Sequence, residues 1–387
     1  MKRVRLHHVV ELEREGIQPD EISGGTWYVG LENIDSKGHF VNVERVEAGM
    51  LASTKFRFGP EHLLYGKLRP YLKKIARPTF EGICSTDIIP IRVGRHVDRN
   101  FLFYYLRQPK IVQLATTRAV GINLPRLSPK ILEQFEVLLP PIKQQKRIAA
   151  ILDKADALRE KRQEAIAKLG MLTRSCFIDM FGDPGTNPRD WPRMMLGDLI
   201  TSGPQNGLYK PATDYGSGTP ILRIDAFYGG VVTGITSLKR VRISDAEAAK
   251  YRLFPGDLVI NRVNSREYLG KSALIPSLTE PTVFESNMMR FRLDETRIDA
   301  TYAIHFLQTR FIRDQIDRAA KDAVNQSSIN QQDVKAFRVN VPPIALQQLF
   351  TRRVAKVDKL KEARCASLAK MDELFISLQH RAFRGEL

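Results

Sequence analysis

Leu139-Pro140-Pro141-Ile142-Lys143-Gln144-Gln145-Lys146-Arg147-Ile148 and Val341-Pro342-Pro343-Ile344-Ala345-Leu346-Gln347-Gln348-Leu349-Phe350 begin two matching segments, 202 residues apart. Each follows an alternating run of strand period, Phe135-Glu136-Val137-Leu138-Leu139 or Phe337-Arg338-Val339-Asn340-Val341. Each proline pair sits where the first turn of a helix tolerates it. The offset of 202 also pairs Asn123 with Asn325, Asp156 with Asp358, Leu158 with Leu360, Leu172 with Leu374 and Phe181 with Phe383. Further upstream it falls to about 195, which aligns Leu63-Leu64-Tyr65-Gly66-Lys67 with Leu258-Val259-Ile260-Asn261-Arg262. A repeat this long marks duplicated domains, and the drift places different insertions in the two globular parts.

After the first proline pair, residues 143–181 read as one helix. Ile148, Ile151, Ala155, Leu158, Ala165, Leu169, Leu172 and Cys176 recur in steps of three and four, broken at Arg162. That spacing is the coiled-coil period. At about 1.5 Å per residue the helix is about 55–60 Å long. The second copy, 345–383, offers Val357, Leu360, Met371 and Leu374 among others. Neither stripe can face water alone, so the two helices are expected to pack on each other. Ser128 and Asn330 are cap-like residues before short turns, and Asp98 and Asp299 precede aromatic-rich helices. The rest of each half is β-rich. The fold class is therefore α+β: two mixed α/β domains in pseudo-two-fold repeat, separated by two long helices forming an antiparallel coiled coil. The boundaries expected are 1–142 for the first domain and 143–182 for its helix. A breaker-rich linker follows at 183–189, then the second domain at 190–341 and its helix at 342–387.

The 387 residues carry 60 Lys+Arg against 43 Asp+Glu, a net charge of +17, which points to a polyanionic partner. No apolar run of about eighteen residues is present to span a membrane. The basic N-terminus has no apolar signal core behind it, so a cytoplasmic location is expected. Cys84, Cys176 and Cys365 are too scattered for a disulfide framework or a metal cluster.

Searching for chemistry returns little. Pro140-Pro141 and Pro342-Pro343 follow Leu139 and Val341, without the polar acceptor that an adenine-methylating motif requires. Gly270-Lys271-Ser272 lacks the upstream glycine of a phosphate loop, the position being Ser265. The chain reads as non-catalytic and metal-free, so recognition remains. Candidate nucleic-acid-binding residues of the first half are Lys67, Arg69, Tyr71, Lys73, Lys74, Arg118, Asn123 and Arg126. Those of the second are Gln205, Asn206, Tyr209, Lys210, Arg223, Arg262, Asn264, Arg266, Lys271, Asn325 and Gln326. Arg and Lys hold phosphates or read guanine edges, and Asn and Gln read adenine edges. The helix-packing set is Ile148, Ile151, Leu158, Leu169, Leu172, Val357, Leu360, Met371 and Leu374.

With these segments in view, the chain resembles the specificity subunits of type I restriction–modification systems. Residues 139–156 look like that family's central conserved region and 341–387 like its distal one. Residues 217–223 and 255–262 resemble strand motifs of its target recognition domains, although Gly59-Pro60-Glu61-His62 departs from Pro255-Gly256-Asp257. The resemblance implies that each domain reads one half of a bipartite, asymmetric double-stranded DNA target. The helices would set the spacer and dock two methylation subunits, with up to two restriction subunits joining them. S-adenosylmethionine, ATP and Mg²⁺ would then belong to those partners and no cofactor to this chain. The competing classes are a self-contained DNA-modifying enzyme and a protein-binding helical scaffold.

Overall fold

The structure, a computed structural model, describes residues 2–324 and 326–386. The chain forms two compact units: Met1–Glu164 with Cys365–Leu387, and Ala165–Arg364. The division falls inside both long helices, so each unit takes a share of each.

Unit 1 carries α1 (Arg99–Leu106), α2 (Pro109–Arg118), α3 (Pro129–Glu133) and the first part of α4 (Ile142–Phe181). Its strands form a four-stranded sheet around Ile88–Val93 and His62–Gly66, and a five-stranded sheet around Gly82–Cys84. Lys2–Arg5 pairs antiparallel with Glu136–Leu139, the strand that feeds α4. Unit 2 carries the rest of α4, then α5 (Asp245–Lys250), α6 (Ala300–Leu307), α7 (Arg310–Ala319), α8 (Gln331–Lys335) and the first part of α9 (Ile344–Ala382). Here Arg193–Met195 pairs with Arg338–Asn340, which feeds α9, and a six-stranded sheet centres on Leu258–Asn261 and Met288–Leu293.

The start of each long helix is locked by one buried glutamine. Gln145 donates to the carbonyls of Pro140 (2.8 Å) and His96 (2.9 Å) and accepts from the Asp98 amide (2.9 Å). Gln347 does the same with Pro342 (2.7 Å), Arg297 (3.3 Å) and the Asp299 amide (2.8 Å). Asp98 and Asp299 in turn cap α1 and α6 through the amides of Phe101 and Tyr302. Each buried amide side chain thus satisfies backbone groups that would otherwise be orphaned. Asn330 caps α8 with its side chain, whereas Ser128 makes no such bond to α3. The breaker-rich segment after α4 is pinned within unit 2: Asp183 accepts from the Gly185 and Thr186 amides, and Trp191 Nε1 donates to Phe181 O (2.9 Å).

Within each unit the helices run antiparallel. In unit 1, Arg159 of α4 meets Asp372 of α9 (2.6 Å), and the Ile148–Leu152 region shares a core with Ala382 and Phe383. In unit 2, Phe177 and Phe181 of α4 pack edge-on to Phe350 of α9, with both ring centroids at 5.5 Å.

The packing face of the helices departs from the one predicted by apolar spacing. Ile148 is buried, and Ile151, Leu169, Val357 and Met371 are half-buried. Leu158, Leu172, Leu360 and Leu374 are 53, 52, 54 and 57% exposed and do not form the seam. The inward series is Gln145, Leu152, Arg159, Ile166, Thr173 and Met180, spaced by seven. Arg159 holds its place because its charge is paired there with Asp156 (2.7 Å) and Asp372, and its guanidinium lies 4.5 Å from the Phe375 ring. Polar residues with partners displace leucine from the seam.

Candidate nucleic-acid interface

The two units share a backbone frame at the strand ends that carry the candidate residues. Lys67 N donates to Asp87 O (2.9 Å), as Arg262 N does to Asn287 O (2.8 Å). Gly66 N donates to Lys74 O (2.8 Å), as Asn261 N does to Lys271 O (2.8 Å). Lys74 Nζ reaches Leu31 O (2.5 Å), and Lys271 Nζ reaches Ile224 O (2.5 Å). These matched bonds give residue-for-residue equivalence, and the aligned runs 63–67 and 258–262 occupy the same place.

In unit 1 the frame gathers Lys67, Arg69, Asn123 and Arg126. Arg69 takes a left-handed backbone (φ 50°), and its side chain donates to Asn123 O (3.2 Å), bracing the loop. Arg126 is paired with Asp87 (3.1 Å). Tyr71 is exposed in the adjoining turn, and Arg118 is exposed at the end of α2. Lys73 is half-buried and also left-handed (φ 55°).

Unit 2 splits its candidates between two places. Asn264 and Gln326 lie on the small sheet formed by Val263–Asn264, Gln326–Ser328 and Lys321–Ala323, and Arg266, in the turn that follows Asn264, is held against it by Asp322 (2.8 Å) and Asp317. Asn325 lies outside the described residues. Tyr209, Lys210 and Arg223 line a cavity of about 440 Å³ with Tyr215, Lys239, Glu285 and Asn287. Lys210 pairs with Glu247 (2.9 Å). Arg262 sits between the two places and donates to Ser286 O (3.3 Å). Asn206 is exposed at a strand end. Gln205 and Lys271 are engaged internally. Gln205 bridges Lys250 O and Arg290. Lys271 lies 4.0 Å from the Tyr228 ring, and burial pushes its ammonium below the usual lysine range.

Sequence reasoning did not single out Glu285, Tyr215 or Asn287, since their place beside the cavity depends on strand pairing between segments distant in the chain. It also passed over the loop tips: Ile122 is fully exposed and Val324 is 92% exposed, each immediately before one of the paired asparagines. Among the described residues no group of three or more His, Cys, Asp or Glu is placed to hold a metal ion. No helix there is long and apolar enough to cross a membrane.

The family profile of the type I restriction modification DNA specificity domain matches residues 73–168 and 188–369. The putative type I restriction enzyme MjaX specificity subunit of Methanocaldococcus jannaschii is 30% identical over 211 residues, covering 52% of this chain and 49% of the relative. The EcoKI specificity subunit of Escherichia coli K12 is 23% identical over 326 residues, covering 80% and 69%. The chain thus spans about half the length of the first relative and about two thirds of the second. Two solved structures share the fold. One comes from work on assembly and conformational transition of a type I restriction–modification system (TM-score 0.61, 22% identity, 100% of this chain and 98% of that one). The other is the type I S subunit from M. genitalium (TM-score 0.58, 12% identity, 99% and 96%). With the profile matched across both repeats, this chain belongs to the type I restriction–modification DNA specificity family.

Proposed function

We propose that the chain is the DNA-targeting specificity subunit of a type I restriction–modification complex. Each unit reads one block of a bipartite, asymmetric duplex target, and the chemistry resides on partner subunits. One observation carries this reading: a common backbone frame presents unlike side chains in the two units. Where unit 1 has Gly30, Ser85, Asp87 and Arg126, unit 2 has Arg223, Glu285, Asn287 and Ser328. A retained frame with varied polar chemistry is what two readers of different sequences require. The surplus of 17 positive charges suits the phosphate backbone and makes affinity fall steeply with salt.

The exposed leucines support the docking half of the proposal. Leu158 and Leu360, like Leu172 and Leu374, are equivalent positions of the repeat, and all four flank the helix seam with more than half their surface open. Paired apolar positions suit two copies of one partner, the methylation subunit. That subunit would bind S-adenosylmethionine and methylate adenine, while restriction subunits would use ATP and Mg²⁺. The long helices fix the gap between blocks.

The test is selection from a random duplex pool by the chain assembled with its methylation subunits. Two short unlike blocks at one fixed gap are expected, and removing seven residues from a long helix is expected to change the gap and spare the blocks. One continuous motif, or no enrichment, overturns the reading.

A further inference from the structure

The cavity of unit 2 is built around a charge pair that unit 1 lacks. Glu285 is 7% exposed. One of its oxygens accepts from the Ile224 amide (2.6 Å), and the other stands 3.3 Å from Arg223 Nε without hydrogen-bond alignment. Burial pushes this carboxyl above the usual range, and the Ile224 amide and the Arg223 charge oppose that push. Removing one partner of so buried a pair leaves the other uncompensated.

Arg223 is fixed on one edge. Its Nε side faces Glu285, and its guanidinium carbon lies 5.6 Å from the Tyr215 ring centroid. Its two terminal nitrogens have no partner among the described residues, although the side chain is only 31% exposed. Other arginines of the unit are engaged differently: Arg240 is forked onto Glu280, Arg292 onto Asp257 and Arg313 onto Asp317. Arg223 therefore presents an oriented pair of donors, unpaired within the described residues, at the cavity of about 440 Å³.

The internal repeat supplies the control. Glu285 N donates to Leu222 O (3.0 Å), as Ser85 N donates to Val29 O (2.9 Å), so Gly30 stands where Arg223 does and Ser85 where Glu285 does. The frame is complete in unit 1 without the pair, so the pair is not needed to build it. The charge pair is therefore a chemical difference between the two readers on a common frame.

We infer that Arg223 determines specificity for a guanine in the block read by unit 2, and that Glu285 is its positioning residue. The inference rests on the DNA-reading function proposed above. A planar fork matches the O6 and N7 acceptors of guanine, and a lysine in its place offers charge without the fork.

The test compares the wild-type, R223K and E285Q chains, each assembled with methylation subunits, by site selection and by competition with single base-pair variants at several salt concentrations. R223K is expected to cost about tenfold in preference for one G·C pair of one block. The rest of that block, the other block and the salt slope should hold. E285Q is expected to weaken preference at the same base pair. Intact selection of the remaining base pairs of the unit 2 block certifies that unit 2 of each variant is folded. Uniform loss across sequences marks a phosphate contact and overturns the inference, as does an unchanged preference. If the wild-type assembly selects no two-block site, the DNA reading itself falls and takes this inference with it.

Discussion

Glu13 shows how one residue can carry acid sensitivity. Its carboxylate lies 2.6 Å from His62 Nε2 and accepts from both Arg92 Nε and Arg92 Nη2. The Arg92 hydrogen bonds, with His62 adding to them against burial, hold its pKa down from 4.5 to about 2. A carboxyl depressed on folding stabilises the fold above its unfolded pKa, and that contribution is lost as pH falls from about 4.5 to about 2. Glu13→Gln is expected to cost roughly 1–2 kcal/mol at pH 7. In denaturation midpoints the gap from wild type should narrow below pH 4.5, and a gap independent of pH would contradict the assignment. The same cluster explains why the sequence departs from its repeat here. Strand register makes Arg92 equivalent to Arg292 and His62 equivalent to Asp257. In unit 2 the carboxylate comes from Asp257 itself, 2.8 Å from Arg292, whereas in unit 1 it comes from Glu13, just past the end of the neighbouring strand Val10–Leu12. The ion pair is kept while its acid has moved to another position in the chain, which an alignment of residues cannot follow.

At the scale of the element, the long helices separate what burial does from what apolar spacing suggests. Leu152 is fully buried on the seam, whereas Leu158 is 53% exposed beside it. Leu152→Ala is expected to cost about 2–4 kcal/mol through lost transfer energy and the cavity left behind. Leu158→Ala should stay within about 0.5 kcal/mol in chemical denaturation but, on the proposed docking role, weaken capture of a methylation subunit. Equal stability losses would return the seam to its apolar reading. The helices, their proline starts, the strands before them and the caps at Asp98 and Asp299 were legible because each depends on local chemistry. The seam was misread because Gln145, Arg159 and Thr173 are polar, and each is satisfied by a partner distant in sequence or by helix backbone. The shared frame was legible as the run 63–67 against 258–262. Glu285 was not, because its role depends on Ile224 and Arg223, some sixty residues upstream.

On the scale of the whole molecule, duplication was readable, but the division of the chain was not. The sequence breaks at its glycine- and proline-rich linker, yet the linker is pinned inside unit 2 and the compact units divide within the helices. Unit 1 is closed by the last residues of the chain. Phe383 is 3% exposed, with its ring 5.1 Å from Phe101 and 5.4 Å from Tyr105, and Gln379 donates to Tyr104 O (3.2 Å). Unit 2 is closed by Phe350 and Val354, which lie before residue 365. Ending the chain at Lys370 therefore removes Phe375, Leu378 and Phe383 from the first core and nothing from the second. Loss of a buried phenylalanine costs about 3–5 kcal/mol, and a domain has only about 5–15 kcal/mol to lose. The truncated chain is expected to lose unit 1, more than two hundred residues upstream of the cut, and to keep unit 2. Limited proteolysis read by mass spectrometry should then digest 1–164 and protect 165–364. Protection of both would mean that the C-terminal turns decorate unit 1 without closing its core.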